Sequence, residues 1–232
     1  VIVYYHGGGW VINDLSTCHE SCAKLALGTK SIVISVEYRL APEYKFPIPV
    51  YDAHDAFLWA QQIATSIGGD EACISVAGDS AGGNLAAAVS QLVGKDAIAS
   101  QLLLYPVTDL SYSSDSYNLY EKGYGLDKEV MQWFGYHYIR CPEDAKNPLV
   151  SPIQALAFQA MPKTYIIVAE NDVLRDEGIQ YGDRLHRAGV YVELKLAAGL
   201  VHSYFTKNAA FGQQIDETIE GIAQFLQRKI YC

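Results

Sequence analysis

Cys73-Ile74-Ser75-Val76-Ala77-Gly78-Asp79-Ser80-Ala81-Gly82-Gly83-Asn84-Leu85 is the stretch that decides the fold. Residues 73–77 are short, apolar and rich in branched side chains, as a strand covered on both faces is. From Leu85 the period changes: Leu85, Ala88, Val89, Leu92 and Val93 fall at i, i+3, i+4, i+7 and i+8, the stripe of an amphipathic helix. Between the two lies a G-x-S-x-G, Gly78 to Gly82. A serine on so tight a turn between strand and helix needs neighbours without side chains, and Gly78 and Gly82 supply them, lifting the Ser80 hydroxyl out of the sheet. The pattern is that of a nucleophile elbow, and Ser80 is its candidate nucleophile.

Working outward, five more runs repeat the strand signal. Residues 1–5, 31–36, 101–105 and 164–169 are nearly continuous in apolar side chains, whereas Val190 to Leu196 alternates, with Tyr191, Glu193 and Lys195 between the aliphatic residues. The first four read as central strands and the last as a strand with one face or edge partly exposed. A second helical stripe, Ile215, Ile219, Ile222, Ala223 and Leu226, closes the chain. Strands alternating with helices predict an α/β fold with a mostly parallel, doubly covered sheet. The interval from Tyr105 to Thr164 is nearly twice the ~30 residues that one crossover takes, so residues 110–160 read as a helical cap inserted into a single domain, 1–232. Within it, Lys128 to Arg140 is a predicted helix carrying Trp133, Phe134, Tyr136 and Tyr138, placed to cover a site at the C-terminal ends of the strands.

Composition removes several classes of function. Seventeen Lys and Arg stand against 26 Asp and Glu, a net charge of −9, which excludes a basic surface for nucleic acid. Half of the 232 residues are hydrophobic, enough for a substantial core, yet Lys30, Glu37 and Arg39 interrupt the most apolar early stretch before it reaches the ~20 residues of a membrane span. The five cysteines, Cys18, Cys22, Cys73, Cys141 and Cys232, are odd in number and scattered, so they read as reduced thiols of a cytoplasm-like compartment. Cys18 and Cys22 share one helical face without a second pair nearby, which fits packing better than metal.

A serine hydroxyl is a poor nucleophile until a base takes its proton, and that base needs a carboxylate to orient it. On this fold the order is Ser, then the acid, then His. His202 follows the last predicted strand, whereas His6, His19, His54 and His137 precede any plausible acid and His186 lies in a predicted helix, 175–188. For the acid, the turn after 164–169 offers Glu170, Asp172, Asp176 and Glu177. Asp172 sits in the turn itself and is favoured by spacing, while Asp176 and Glu177 read as first-turn acids attracted by the helix dipole. The developing oxyanion needs donors, each worth about 3 kcal/mol where such groups have been removed. His6-Gly7-Gly8-Gly9 follows the first strand, and the N–H groups of Gly8 and Gly9, with that of Ala81, are the candidates. A phosphate-binding loop would require a following Gly-Lys-Ser/Thr, which is missing.

Taken together, His6-Gly7-Gly8-Gly9-Trp10, Tyr38 to Glu43, Gly78 to Asn84, Asp172-Val173-Leu174-Arg175-Asp176 and His202 resemble the hormone-sensitive-lipase-like branch of the α/β-hydrolases, which includes bacterial carboxylesterases and arylacetamide deacetylases. The resemblance implies Ser80 as nucleophile, Asp172 and His202 as its partners, and Gly8, Gly9 and Ala81 as oxyanion donors. It also implies that His6, Gly7, Gly78, Asp79, Gly82 and the Tyr38 to Glu43 segment support the site. Members of that branch usually carry a helical segment and two strands ahead of the stretch equivalent to Val1 to Tyr5, so a polypeptide beginning at Val1 is expected to have an unpaired sheet edge and a thinner roof. Ser203 stands where Gly or Ala often follows the histidine.

The expected activity is hydrolysis of small, fairly hydrophobic esters with short to medium acyl chains, without metal or organic cofactor. Amide or deacetylase chemistry is the alternative within enzymes, and a non-catalytic ligand receptor or an inactive truncated form lies outside them. The resemblance further implies a possible homodimer through an edge strand and the last helix, with Val190 to Leu196 as the candidate edge.

Overall fold

The computed structural model describes residues 1–228, and Cys232 lies outside the described residues. Among the described residues, six strands, β1 (Ile2–Tyr5), β2 (Val33–Val36), β3 (Ser75–Asp79), β4 (Ser100–Leu104), β5 (Lys163–Asn171) and β6 (Val192–Val201), form one sheet in the order β2-β1-β3-β4-β5-β6. Every neighbouring pair is parallel. Among the described residues, seven helices accompany it: α1 (Leu15–Thr29), α2 (Ile48–Ile63), α3 (Ala81–Val93), the single turn α4 (Ser116–Leu119), α5 (Lys128–Tyr138), α6 (Arg175–Arg187) and α7 (Asn208–Gln227). This is the parallel, doubly covered α/β sheet that the alternation of periods predicts.

The strand period of two divides the core. Val3 and Tyr5 of β1 and Val76 of β3 pack with α2, α3 and α6, while Ile2, Tyr4 and Ala77 pack with α1 and α7. Both faces are therefore buried, which is why the strand sequences are continuously apolar rather than alternating. Cys18 and Cys22 lie in the second layer, on the inner face of α1, with Cys18 Sγ 3.3 Å from Ser35 Oγ. Asp14 starts α1 by accepting from Ser16 N–H (2.9 Å) and Thr17 N–H (3.2 Å), the usual role of a capping aspartate.

Several boundaries differ from the sequence reading, and those of β3, α3 and β6 bear on the site. β3 starts two residues later and runs through Gly78 to Asp79, and α3 begins at Ala81, four residues before its apolar stripe, so Ser80 is the only residue between them. β6 extends past Leu196 to Val201, crossing Gly199 in a positive-φ conformation (φ 73°) after an irregular register opposite Ala169 to Asn171. β6 is an outer strand, and its Leu194 and Leu196 are exposed. The segment between β4 and β5 contains α4, α5 and three short 3-10 turns, and it lies against the loops that follow β1 and β6. No helix among the described residues is long and apolar enough to cross a membrane.

Candidate active site

Ser80 adopts φ 56°, ψ −117°, a left-handed backbone region that an L residue occupies at a cost. The surroundings enforce it. A Cβ on Gly82 would overlap the Tyr5 carbonyl and one on Gly78 would overlap the backbone of Gly82, so only glycines let α3 approach β1 this closely. Ser80 N–H donates to Leu104 O (2.9 Å), and Ser80 O accepts from Asn84 N–H (3.0 Å) and Val107 N–H (3.2 Å). The turn is gripped from both sides by the segment after β4.

β5 delivers Asp172 immediately beyond its last residue, and β6 delivers His202 in the same way. Asp172 Oδ2 lies 2.7 Å from His202 Nδ1, and His202 Nε2 lies 2.9 Å from Ser80 Oγ. A carboxylate accepts only, so the Nδ1 position carries the proton and Nε2 is left to accept from the serine hydroxyl. The other carboxylate oxygen, Oδ1, accepts from Leu174 N–H at 3.0 Å, which fixes the plane of the group. All three side chains are buried, and the ring of Tyr105 packs edge-on against that of His202, with centroids 4.9 Å apart.

The remaining acids of the turn go elsewhere. Glu170 accepts from Gly199 N–H (2.6 Å), and Asp176 accepts from Ser116 N–H (2.9 Å) and pairs with Arg175. Glu177 stands in the first turn of α6, as its spacing predicts, and it is also 2% exposed and accepts from Thr108 N–H (2.6 Å) and Asp109 N–H (3.1 Å). Burial pushes its carboxyl well above the ordinary range, against the pull of those two donors. A helix dipole alone requires no such burial.

The glycine loop after β1 is held both by its own turn, in which Val11 N–H and Ile12 N–H donate to Gly8 O (3.0 Å each), and by its neighbours. Gly7 N–H (3.0 Å) and Tyr4 O–H (2.8 Å) both donate to Asp79 Oδ1, and Tyr38 O–H donates to His6 O (2.7 Å). His6 stacks on the Tyr38 ring at 4.4 Å, so its place is structural. Asp79 is buried, and the desolvation raises its pKa despite those donors. Gly8 (φ 113°) and Gly9 (φ 59°) take positive φ, and among the described residues their N–H groups meet no protein acceptor. Ala81 N–H, in the first turn of α3, has no acceptor within its helix. Over this loop lies α5: the ring of Phe134 occupies the space a side chain on Gly9 would need, and Trp10 stacks on Tyr138 at 4.1 Å and 5°.

A family model described as the alpha/beta hydrolase fold matches residues 2–206. The chain belongs to the α/β-hydrolase family. Within it, an ethyl acetate hydrolase of Pseudomonas putida is 34% identical over 230 residues, covering 97% of this chain and 71% of the relative. The carboxylesterase NlhH of Mycobacterium tuberculosis is 37% identical over 239 residues, covering 100% and 74%. Among solved structures, a thermostable esterase from Pseudomonas putida superposes with a TM-score of 0.91 at 32% identity, covering 98% of this chain and 75% of that one. These relatives place this α/β-hydrolase in the carboxylic ester hydrolase branch that its motifs resemble.

Three supports of this hydrolase site carry no signal in the sequence. Tyr4 and Tyr105 sit inside apolar runs, where an aromatic residue reads as core, and Glu177 has an adequate local explanation in the helix dipole. Only the packing of β1 on β3, and of α6 on the segment after β4, reveals what these residues touch.

Proposed function

We propose that Ser80, His202 and Asp172 are the catalytic triad of a serine carboxylesterase acting through an acyl-enzyme. The observation that carries this reading is the continuous hydrogen-bonded line from Asp172 Oδ2 through both ring nitrogens of His202 to Ser80 Oγ. In the first half-reaction Ser80 Oγ bonds to the ester carbonyl carbon while its proton passes to His202 Nε2, and the carbonyl electron pair moves onto oxygen. The N–H groups of Gly8, Gly9 and Ala81 stabilise that oxyanion. Collapse breaks the bond to the alcohol oxygen, which takes the proton from Nε2 as it leaves. A water then repeats the sequence with His202 as base, releasing the acid and restoring Ser80. Asp172 keeps the Nδ1 proton in place and stabilises the imidazolium in both halves. No step calls on a metal or an organic cofactor.

The substrates proposed are esters of short to medium acyl chains, a reading supported by Phe134 on the oxyanion loop, which narrows the space beside Gly9, and by the name of the ethyl acetate hydrolase. Residues 110–160 act as the cap over that space, and a second copy of the chain pairs along β6. The test is hydrolysis of p-nitrophenyl esters from acetate to decanoate beside Ser80→Ala. A burst of p-nitrophenol with a maximum at the shorter chains is expected, with a loss of at least ~10⁴-fold in the variant. Equal rates in the two proteins overturn the assignment of Ser80.

A further inference from the structure

We infer that Glu177 is a positioning residue that locks the nucleophile's turn to the segment carrying the catalytic acid, an inference that rests on the Ser80, His202 and Asp172 reading above. Three observations carry it. First, Glu177 Oε1 accepts two consecutive backbone donors, Thr108 N–H at 2.6 Å and Asp109 N–H at 3.1 Å, and the side chain is 2% exposed. Second, the residue just before those donors is in direct contact with the nucleophile: Val107 N–H donates to Ser80 O at 3.2 Å, and Asn84 Nδ2 holds Val107 O at 2.9 Å. Third, the other end of the link is the acid's own segment, because Asp172 accepts from Leu174 N–H (3.0 Å) and Leu174 O accepts from Gly178 N–H (3.1 Å), bracketing Glu177.

The relay thus runs from Asp172 through the start of α6 to Glu177, then through residues 107–109 to the backbone of Ser80. The link adds to the β4–β5 pairing and to the Ser116 contacts with Val173 O and Asp176, and it joins α6 directly to the two residues that follow Val107. Two adjacent N–H groups, that of Thr108 buried and that of Asp109 half-buried, have one acceptor between them, so its removal leaves both without that partner and frees the segment that grips Ser80. The acceptor, not the charge, is what the link needs. An amide oxygen in the same place accepts both bonds, so Gln preserves what Ala removes.

Glu177→Ala and Glu177→Gln distinguish this from a purely structural role. With p-nitrophenyl butyrate, Glu177→Ala is expected to lose about 10- to 100-fold in kcat with KM within about twofold, the signature of a displaced reacting group rather than a damaged binding surface. Glu177→Gln is expected to stay within about threefold of the parent. Hydrogen exchange by mass spectrometry supplies a readout independent of turnover: peptides covering 104–112 and 78–84 exchange faster in Glu177→Ala and at the parent's rate in Glu177→Gln. Unchanged exchange in both peptides of Glu177→Ala overturns the inference, and so does a folded Glu177→Gln that loses as much kcat as Glu177→Ala. If Ser80→Ala instead matches the parent's esterase rate, the triad reading fails, and the exchange measurement still decides whether Glu177 holds the turn.

Discussion

Asp79 is a carboxylate kept where its charge is disfavoured. It has two donors, Tyr4 O–H and Gly7 N–H, on the same oxygen, and burial still holds its pKa above the ordinary value of 3.8. The native state therefore binds this proton more tightly than the unfolded chain, and the contribution of Asp79 to stability falls as pH rises from the unfolded value through the folded one. Asp79→Asn removes the titration while leaving an oxygen that accepts from Gly7 N–H. The variant's melting temperature relative to the parent is expected to climb as pH rises above about 4, by about 2–4 °C for each kcal/mol of charge penalty relieved. A pH-independent offset between the two melting curves would show that Asp79 does not titrate in this range. At this scale, legibility follows the reach of local rules. Ser80, Asp172 and His202 are readable because each sits just beyond a strand in a fixed chain order, so strand ends alone bring them near one another. The second roles of Asp79 and Glu177 depend on which backbone N–H lies across from them, and no spacing in the sequence encodes that.

The elements show the same division. Continuous apolar runs announce β1, β4 and β5 because both faces of each are covered, whereas the extension of β3 through Gly78 and Asp79 and of β6 through Gly199 is set by pairing with β4 and β5, against local propensity. The predicted aromatic helix is present as α5, but its stripe does not reveal its docking partner. It docks on the glycine loop and on the segment before α2: Tyr138 lies flat on Trp10, Phe46 N–H donates to Tyr138 O (2.9 Å), and Lys45 Nζ donates to Tyr136 O (3.1 Å) and Ile139 O (2.9 Å) at the end of the helix. The Tyr138 hydroxyl is buried and has no hydrogen-bond partner among the described residues, so the ring is what stabilises the contact. Tyr138→Phe is accordingly expected to melt at or slightly above the parent temperature. Tyr138→Ala is expected to lose about 3–5 kcal/mol, on the order of 10 °C, and to lower kcat as α5 lifts from the loop. Differential scanning calorimetry of the pair checks this. An equal loss in both variants would assign the stabilisation to the hydroxyl.

Across the whole molecule, the sheet has an open side at β6, where Leu194 is 37% and Leu196 53% exposed and no further strand follows among the described residues. Exposed aliphatic side chains beside unpaired N–H and C=O groups are a template for another strand. In the dimer proposed above, a second copy would supply that strand: two-fold pairing of identical edge strands is necessarily antiparallel, and it would continue the sheet without a break across both copies. Charge opposes the association, since each chain carries −9, so dimerisation through β6 is expected to strengthen as salt shortens the ~8 Å screening length of physiological buffer. Leu196→Glu adds a further negative charge at the contact and would bury it there unpaired, a penalty far above what a weak interface withstands. Sedimentation velocity at tens of micromolar is therefore expected to show a dimer for the parent, favoured by salt, and a monomer for Leu196→Glu. Because Leu196 lies away from Ser80 and its partners, the ester hydrolysis rate per chain should be unchanged. A parent that sediments as a monomer at every salt concentration removes the pairing. A dimer that survives Leu196→Glu moves it to another surface.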